Sequence, residues 1–258
     1  MPQSLSEARD AALFVFLLRL GDSALVLGQR LAEWTAHGPA LEEDLALTNV
    51  ALDLVGHARM WLDYAGEVEG RGRDADRLAY FRDQSEYRNV LLVERPSGNY
   101  ADTTARQFLF DTWHHYLLQA LGASRDERIS AIASKAAREA AYHVRRSGDW
   151  VLRLGDGTEA SHARMQAAIG DAWPYTGEFF APDAVDDELL ARGVACDLRA
   201  LYTPWDAHVS RVLRDATLTR PDDGWMHAGG RTGKHTEALG YLLAEMQSVA
   251  RSVPAARW

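Results

Sequence analysis

The chain has 258 residues, 47% of them hydrophobic and 25% charged, enough apolar material for one large core or two small ones. A net charge of −9, with no basic run longer than two residues, argues against nucleic acid or an anionic membrane as a partner. The lone Cys196 excludes an internal disulfide and suits a reducing cytoplasm. The early apolar run Ala11 to Leu18 is too short to span a bilayer, and the acidic residues before it argue against a signal peptide. The expectation is a cytoplasmic protein.

Residues 8–36 carry Leu13, Leu17, Leu20, Ala24, Leu27, Leu31 and Trp34 at alternating steps of four and three, the seam of a bundle helix. His37-Gly38-Pro39 ends it. The second helix, Leu41 to about Glu67, has two apolar stripes. One is Leu47, Ala51, Leu54, Ala58 and Trp61; the other is Leu45, Leu52, Val55 and Leu62, and together they mark a central helix. Its polar stripe holds Asn49, Asp53, Gly56 with His57, and Met60. Residues 70–98 read as a connector with one or two short helices, closing on the turn Arg95-Pro96-Ser97-Gly98.

The third long helix runs from about Tyr100 to Leu121 and contains DTWHHY at 111–116. The fourth spans Asp126 to Leu154. Its apolar stripe runs from Ile129 through Ala136, Ala140 and Val144 to Val151, with Glu139, Tyr142 and His143 beside it. Thr158 caps a fifth helix that stops at Trp173-Pro174. Pro182 to Arg192 is a short acidic helix, Asp197 to Ala216 a helix bent or broken near Pro204, and Asp222 to Gly233 a loop. A last helix shows His235, Leu239, Leu242, Met246, Val249 and Val253 before Pro254. Without strand-like alternation or repeats, the chain reads as all-α: one domain over 1–258, a ferritin-like four-helix bundle with additional C-terminal helices.

Such bundles hold two metals with one Glu from each of two helices and a Glu-x-x-His from each of the others, because residues three apart stand side by side. On helix two the expected place reads Asp53-Leu-Val-Gly56, with His57 one position late; on helix four it reads Glu139-Ala-Ala-Tyr142, with His143 one position late. The carboxylates survive, but Gly56 and Tyr142 replace both histidines, so the site is degenerate and no metal is expected. The alternative pairs Asp53 with His57 and Glu139 with His143 inside their own helices, relieving the cost of a buried carboxylate. Two true acid-x-x-His matches remain, Asp111 to His114 and Glu159 to His162, the second at an exposed helix start.

Ala228-Gly-Gly-Arg-Thr-Gly-Lys-His-Thr236 resembles a phosphate-binding loop but lacks its first Gly and its Ser or Thr after the lysine. Arg231 and Lys234 at a helix N-terminus remain candidates for an anion contact, with ordinary turn chemistry as the alternative. No nucleophile elbow G-x-S-x-G occurs, and no catalytic residue is assigned.

The stretches LRLGDSALVLGQRLAEW (18–34), LALTNVALDLVGHARMWLDYAGE (45–67), LLVERPSGNYADTTARQF (91–108), EAAYHVRRS (139–147), RLGDGTEAS (153–161) and GKHTEALGYLLAEMQ (233–247) resemble the structural (C) subunit of the ring-1,2-phenylacetyl-CoA epoxidase family. The resemblance covers nearly the whole chain. It implies a non-catalytic subunit of a bacterial multicomponent oxygenase of aerobic phenylacetate degradation. It also implies a catalytic A subunit holding the di-iron centre, a small B subunit, a flavin and iron–sulfur reductase, and no cofactor in this chain. The competing reading is a ferritin-like di-iron oxidase in its own right, with Asp111 and His114 among its ligands.

Overall fold

The computed structural model describes residues 10–254. Among them no strand occurs, and the fold is all-α, a ferritin-like helical bundle. The chain divides into two compact units, Met1–Pro96 with Gly229–Trp258, and Ser97–Ala228.

The first unit is built on an antiparallel helix pair, α1 (Ala11–Ala32) and α2 (Leu41–Glu69). Asp10 caps α1 by accepting from the Leu13 amide at 3.0 Å. Residue 8, where the sequence places the helix start, lies outside the described residues, and α1 stops at Ala32, leaving Trp34 half-buried in the turn before Gly38. The pair packs closely because α1 carries glycine where α2 crosses: a Cβ on Gly21 would come within 2.8 Å of Leu62. Of the 22 residues of α1, 18 are buried, so α1, not α2, is the central helix of this unit. The second stripe assigned to α2 holds at Leu62, which is buried, but not at Leu45 and Leu52, which are 57% and 64% exposed. By length and composition α1 could cross a membrane, a longer stretch than the Ala11–Leu18 run. Yet 94% of its most apolar window is buried inside the protein.

After α2 the connector forms α3 (Ala75–Tyr80) and two 3-10 turns, 84–86 and 91–94. Residues 229–254 return to this unit as a 3-10 turn at Gly230–Thr232, then α9 (Glu237–Met246) and α10 (Ser248–Ser252). The sequence shows one helix here. It breaks at Gln247, whose buried side chain donates to the carbonyls of Ala79 and Arg82 and to the Tyr87 hydroxyl at 3.0–3.1 Å.

The second unit repeats the antiparallel plan with α4 (Tyr100–Leu121) and α5 (Glu127–Gly155). Asn99 opens α4 through a capping box with Asp102, and Asp126 caps α5 by accepting from Arg128 and Ile129 at 3.0 Å each. Then come α6 (Glu159–Ala172), capped by Thr158 as expected, α7 (Ala184–Ala191) and α8 (Tyr202–Asp215). The break before α8 falls where a 3-10 turn (Leu198–Leu201) passes into α-helix, and Pro204 sits harmlessly in its first turn. An aromatic core holds this unit: Trp113 stacks on Phe179 at 4.6 Å, and the Trp205 indole donates to the Leu109 carbonyl at 3.1 Å.

Candidate functional site

The residues expected to mark a metal centre are displaced around their helices. Successive α-helical residues turn by about 100°, so the residue at i+4 lies about 40° from i, and i+3 about 60° to the other side. On α2 the position facing the core is His57, with no exposed surface; Asp53 is half-buried and Gly56 exposed. On α5 the same order recurs: His143 is buried, Glu139 half-buried, and Tyr142 is 41% exposed. An acid-x-x-His pair here would straddle the rim of the helix and aim its third residue at solvent. Asp53 and Glu139 are thus half-buried, not deep, beside their buried histidines.

Of the two true acid-x-x-His matches, Glu159–His162 is structural. His162 Nδ1 lies 2.7 Å from the Gly155 carbonyl and satisfies the open C-terminal end of α5. Asp111 and His114 both face inward on α4. Asp111 accepts from the Gln107 amide at 2.6 Å. Burial pushes its carboxyl up to about 6, opposed by His143 and by hydrogen bonds from Ser147 and Gln107. Among the described residues no three of His, Cys, Asp and Glu converge so as to hold a metal ion, and the side chains do not fit the di-iron site of the bundle plan.

The glycine-rich loop at 228–236 meets a different fate. The amide and hydroxyl of Thr236 and the ring of His235 converge on Glu94, a fully buried carboxylate in the first unit. Glu94 accepts from the Thr236 amide at 2.8 Å, the Thr236 hydroxyl at 2.7 Å and the Asn89 amide at 2.9 Å, with His235 Nδ1 at 2.6 Å. The anion at the N-terminus of α9 is thus the protein's own side chain. Gly230 is needed for this approach, since a Cβ there would stand 2.3 Å from the Asn89 carbonyl. Arg231 is buried and Lys234 exposed, so the two cations do not share one environment.

A buried charge pair elsewhere in this unit had no signature in the sequence. Asp22 on α1, with no exposed surface, is held by the Arg82 guanidinium and by the Arg88 amide at 2.8 Å. The Tyr87 ring lies 4.4 Å from the Arg82 guanidinium carbon, and burial raises the Tyr87 phenol well above its ordinary range. Asp22 and Arg82 lie sixty residues apart, and only the fold brings them together.

Comparison with known proteins adds two findings. The family described as "Phenylacetic acid catabolic protein" matches residues 1–258. A relative from Escherichia coli (strain K12), the C subunit of 1,2-phenylacetyl-CoA epoxidase, is 48% identical over 246 residues, 95% of this chain and 99% of the relative.

Proposed function

The chain belongs to the phenylacetic acid catabolic protein family, and from that premise we propose that it is the non-catalytic structural subunit of a bacterial phenylacetyl-CoA epoxidase. Its relative is one of the lettered subunits of such an enzyme, so partner subunits follow. The finer assignment is an iron-bearing catalytic partner with the di-iron centre, a small B subunit and a flavin and iron–sulfur reductase, all acting in the cytoplasm. The observation that carries the reading is the rotation of α2 and α5. The carboxylates of Asp53 and Glu139 are turned to the rim, and the positions a ligand histidine would take are Gly56 and Tyr142, both facing solvent. Asp111 and His114 supply at most two ligands, and no third joins them among the described residues. Nothing therefore favours an independent oxidase.

Two measurements test this. The purified chain, incubated with ferrous iron and desalted, retains far less than the roughly two irons a coupled centre needs. Co-expressed with an iron-bearing homologue, it co-elutes through gel filtration at micromolar concentration, as expected for an obligate interface of about 2,000 Å² or more. Turnover of phenylacetyl-CoA then requires both chains. A coupled di-iron spectrum from this chain alone, or a partner equally soluble and active without it, sinks the proposal.

A further inference from the structure

A groove of about 350 Å³ opens between α4, α5 and α8 in the second unit, within the size range of small-molecule sites. Its floor is apolar: Val144, Gly148 and Leu152 from α5, and Val212 from α8. Gly148 matters because it contributes no side chain, and a Cβ there would touch only the Phe108 ring, at 3.7 Å. One wall is aromatic. The rings of His115 and Tyr116 lie 5.5 Å apart at 61°, and those of Tyr116 and His208 lie 6.3 Å apart at 75°. Burial lowers the pKa of both histidines, and Arg211 lowers that of His208 further, which favours their neutral form. His115 Nδ1 is buried and has no hydrogen-bond partner within the protein.

The rim has the opposite character. Arg145 and Arg211 are exposed there beside two carboxylates, Asp149 and Asp215, the latter 3.8 Å from Arg211. The rim so sets two guanidiniums beside two carboxylates, and Arg211, beyond hydrogen-bond distance of Asp215, is open to an added anion. We propose that the groove binds a small aromatic carboxylate, its ring against His115, Tyr116 and His208 and its carboxylate at Arg145 and Arg211. The choice of phenylacetate as first probe rests on the family reading, whereas the groove's chemistry does not.

The test uses the full chain and titration calorimetry with phenylacetate and benzoate, alongside hexanoate, which lacks the ring, and phenethylamine, which reverses the charge. Expected is one saturable site per chain for an aromatic carboxylate, with Kd between about 10 μM and 1 mM, and roughly tenfold weaker binding of both comparators. Gly148→Leu, which fills the floor, and Arg211→Glu, which reverses the rim, each weaken binding by about tenfold. Where Gly148→Leu fails to fold, His208→Ala serves in its place. No saturable binding of either aromatic acid, or affinity unmoved by these variants, overturns the proposal; so does hexanoate binding as tightly. Benzoate binding without phenylacetate supports the groove and leaves the epoxidase reading, whose substrate is the CoA thioester, standing on its own tests. An active two-subunit enzyme whose structural chain binds neither acid overturns the groove alone.

Discussion

Asp111 ties stability to pH through one buried side chain. It lies in the interior of α4, hydrogen-bonded to Gln107, and burial raises its carboxyl from 3.8 to about 6. The folded chain therefore holds the proton more tightly than the unfolded chain. Between about pH 4 and 6 the unfolded form has released it while the folded form has not, so stability falls as pH rises through that window and is level above it. Asp111→Asn removes the ionisation and keeps an acceptor for Gln107. It is expected to stabilise the protein by up to about 3 kcal/mol at pH 7.5 and by nearly nothing at pH 4. Urea titrations at the two pH values measure this. Destabilisation at both would mean that His143 holds the carboxylate ionised. The acid at 111 was visible in the sequence as half of an acid-x-x-His match. Its burial was not, because α4 is enclosed on almost every side and its interior cannot be told from its spacing.

At the scale of elements, the caps and stops were written locally and the joints were not. Thr158, Asn99 and Asp126 start their helices as short-range chemistry requires, and α4 begins and ends at Tyr100 and Leu121 as its sequence indicates. Local spacing also misled: two leucine stripes made α2 look central, although Leu45 and Leu52 face outward. The link between residues 89–94 and 235–236 could not be read, because Glu94 and His235 are 141 residues apart and each looks unremarkable alone. That link gives the glycine-rich loop a role inside the fold. Glu94→Ala strands the Thr236 amide, the Asn89 amide and His235 in a buried setting. A loss of about 1–3 kcal/mol or more is expected, with faster amide exchange at the start of α9. Lys234→Ala, in the same loop but exposed, stays within about 0.5 kcal/mol. Equal melting temperatures for the two variants would return the loop to an ordinary surface turn.

For the whole molecule, the order of the chain sets the problem. The first unit consists of two stretches, and everything from Ser97 to Ala228 intervenes between them. Its closing contacts all cross that gap: Glu94 with His235 and Thr236, Arg30 with the Ala238 carbonyl at 2.8 Å, and Gln247 with Ala79, Arg82 and Tyr87. While the second unit is folded, the ends of the insertion are fixed. Once it unfolds, those contacts must close a loop of over a hundred flexible residues, whose entropy costs on the order of 4 kcal/mol. That penalty is a large share of a typical folding free energy of about 5–15 kcal/mol. Melting of the insertion therefore undermines the first unit through chain connectivity alone, and we expect residues 1–258 to unfold as a single domain. Scanning calorimetry should show one transition whose calorimetric and van't Hoff enthalpies agree. The variant Glu94→Ala, which weakens only the first unit, should move that one peak to lower temperature without splitting it. Two resolved peaks in the wild-type chain, or a new low-temperature shoulder in the variant, would mean that the two units stand or fall separately.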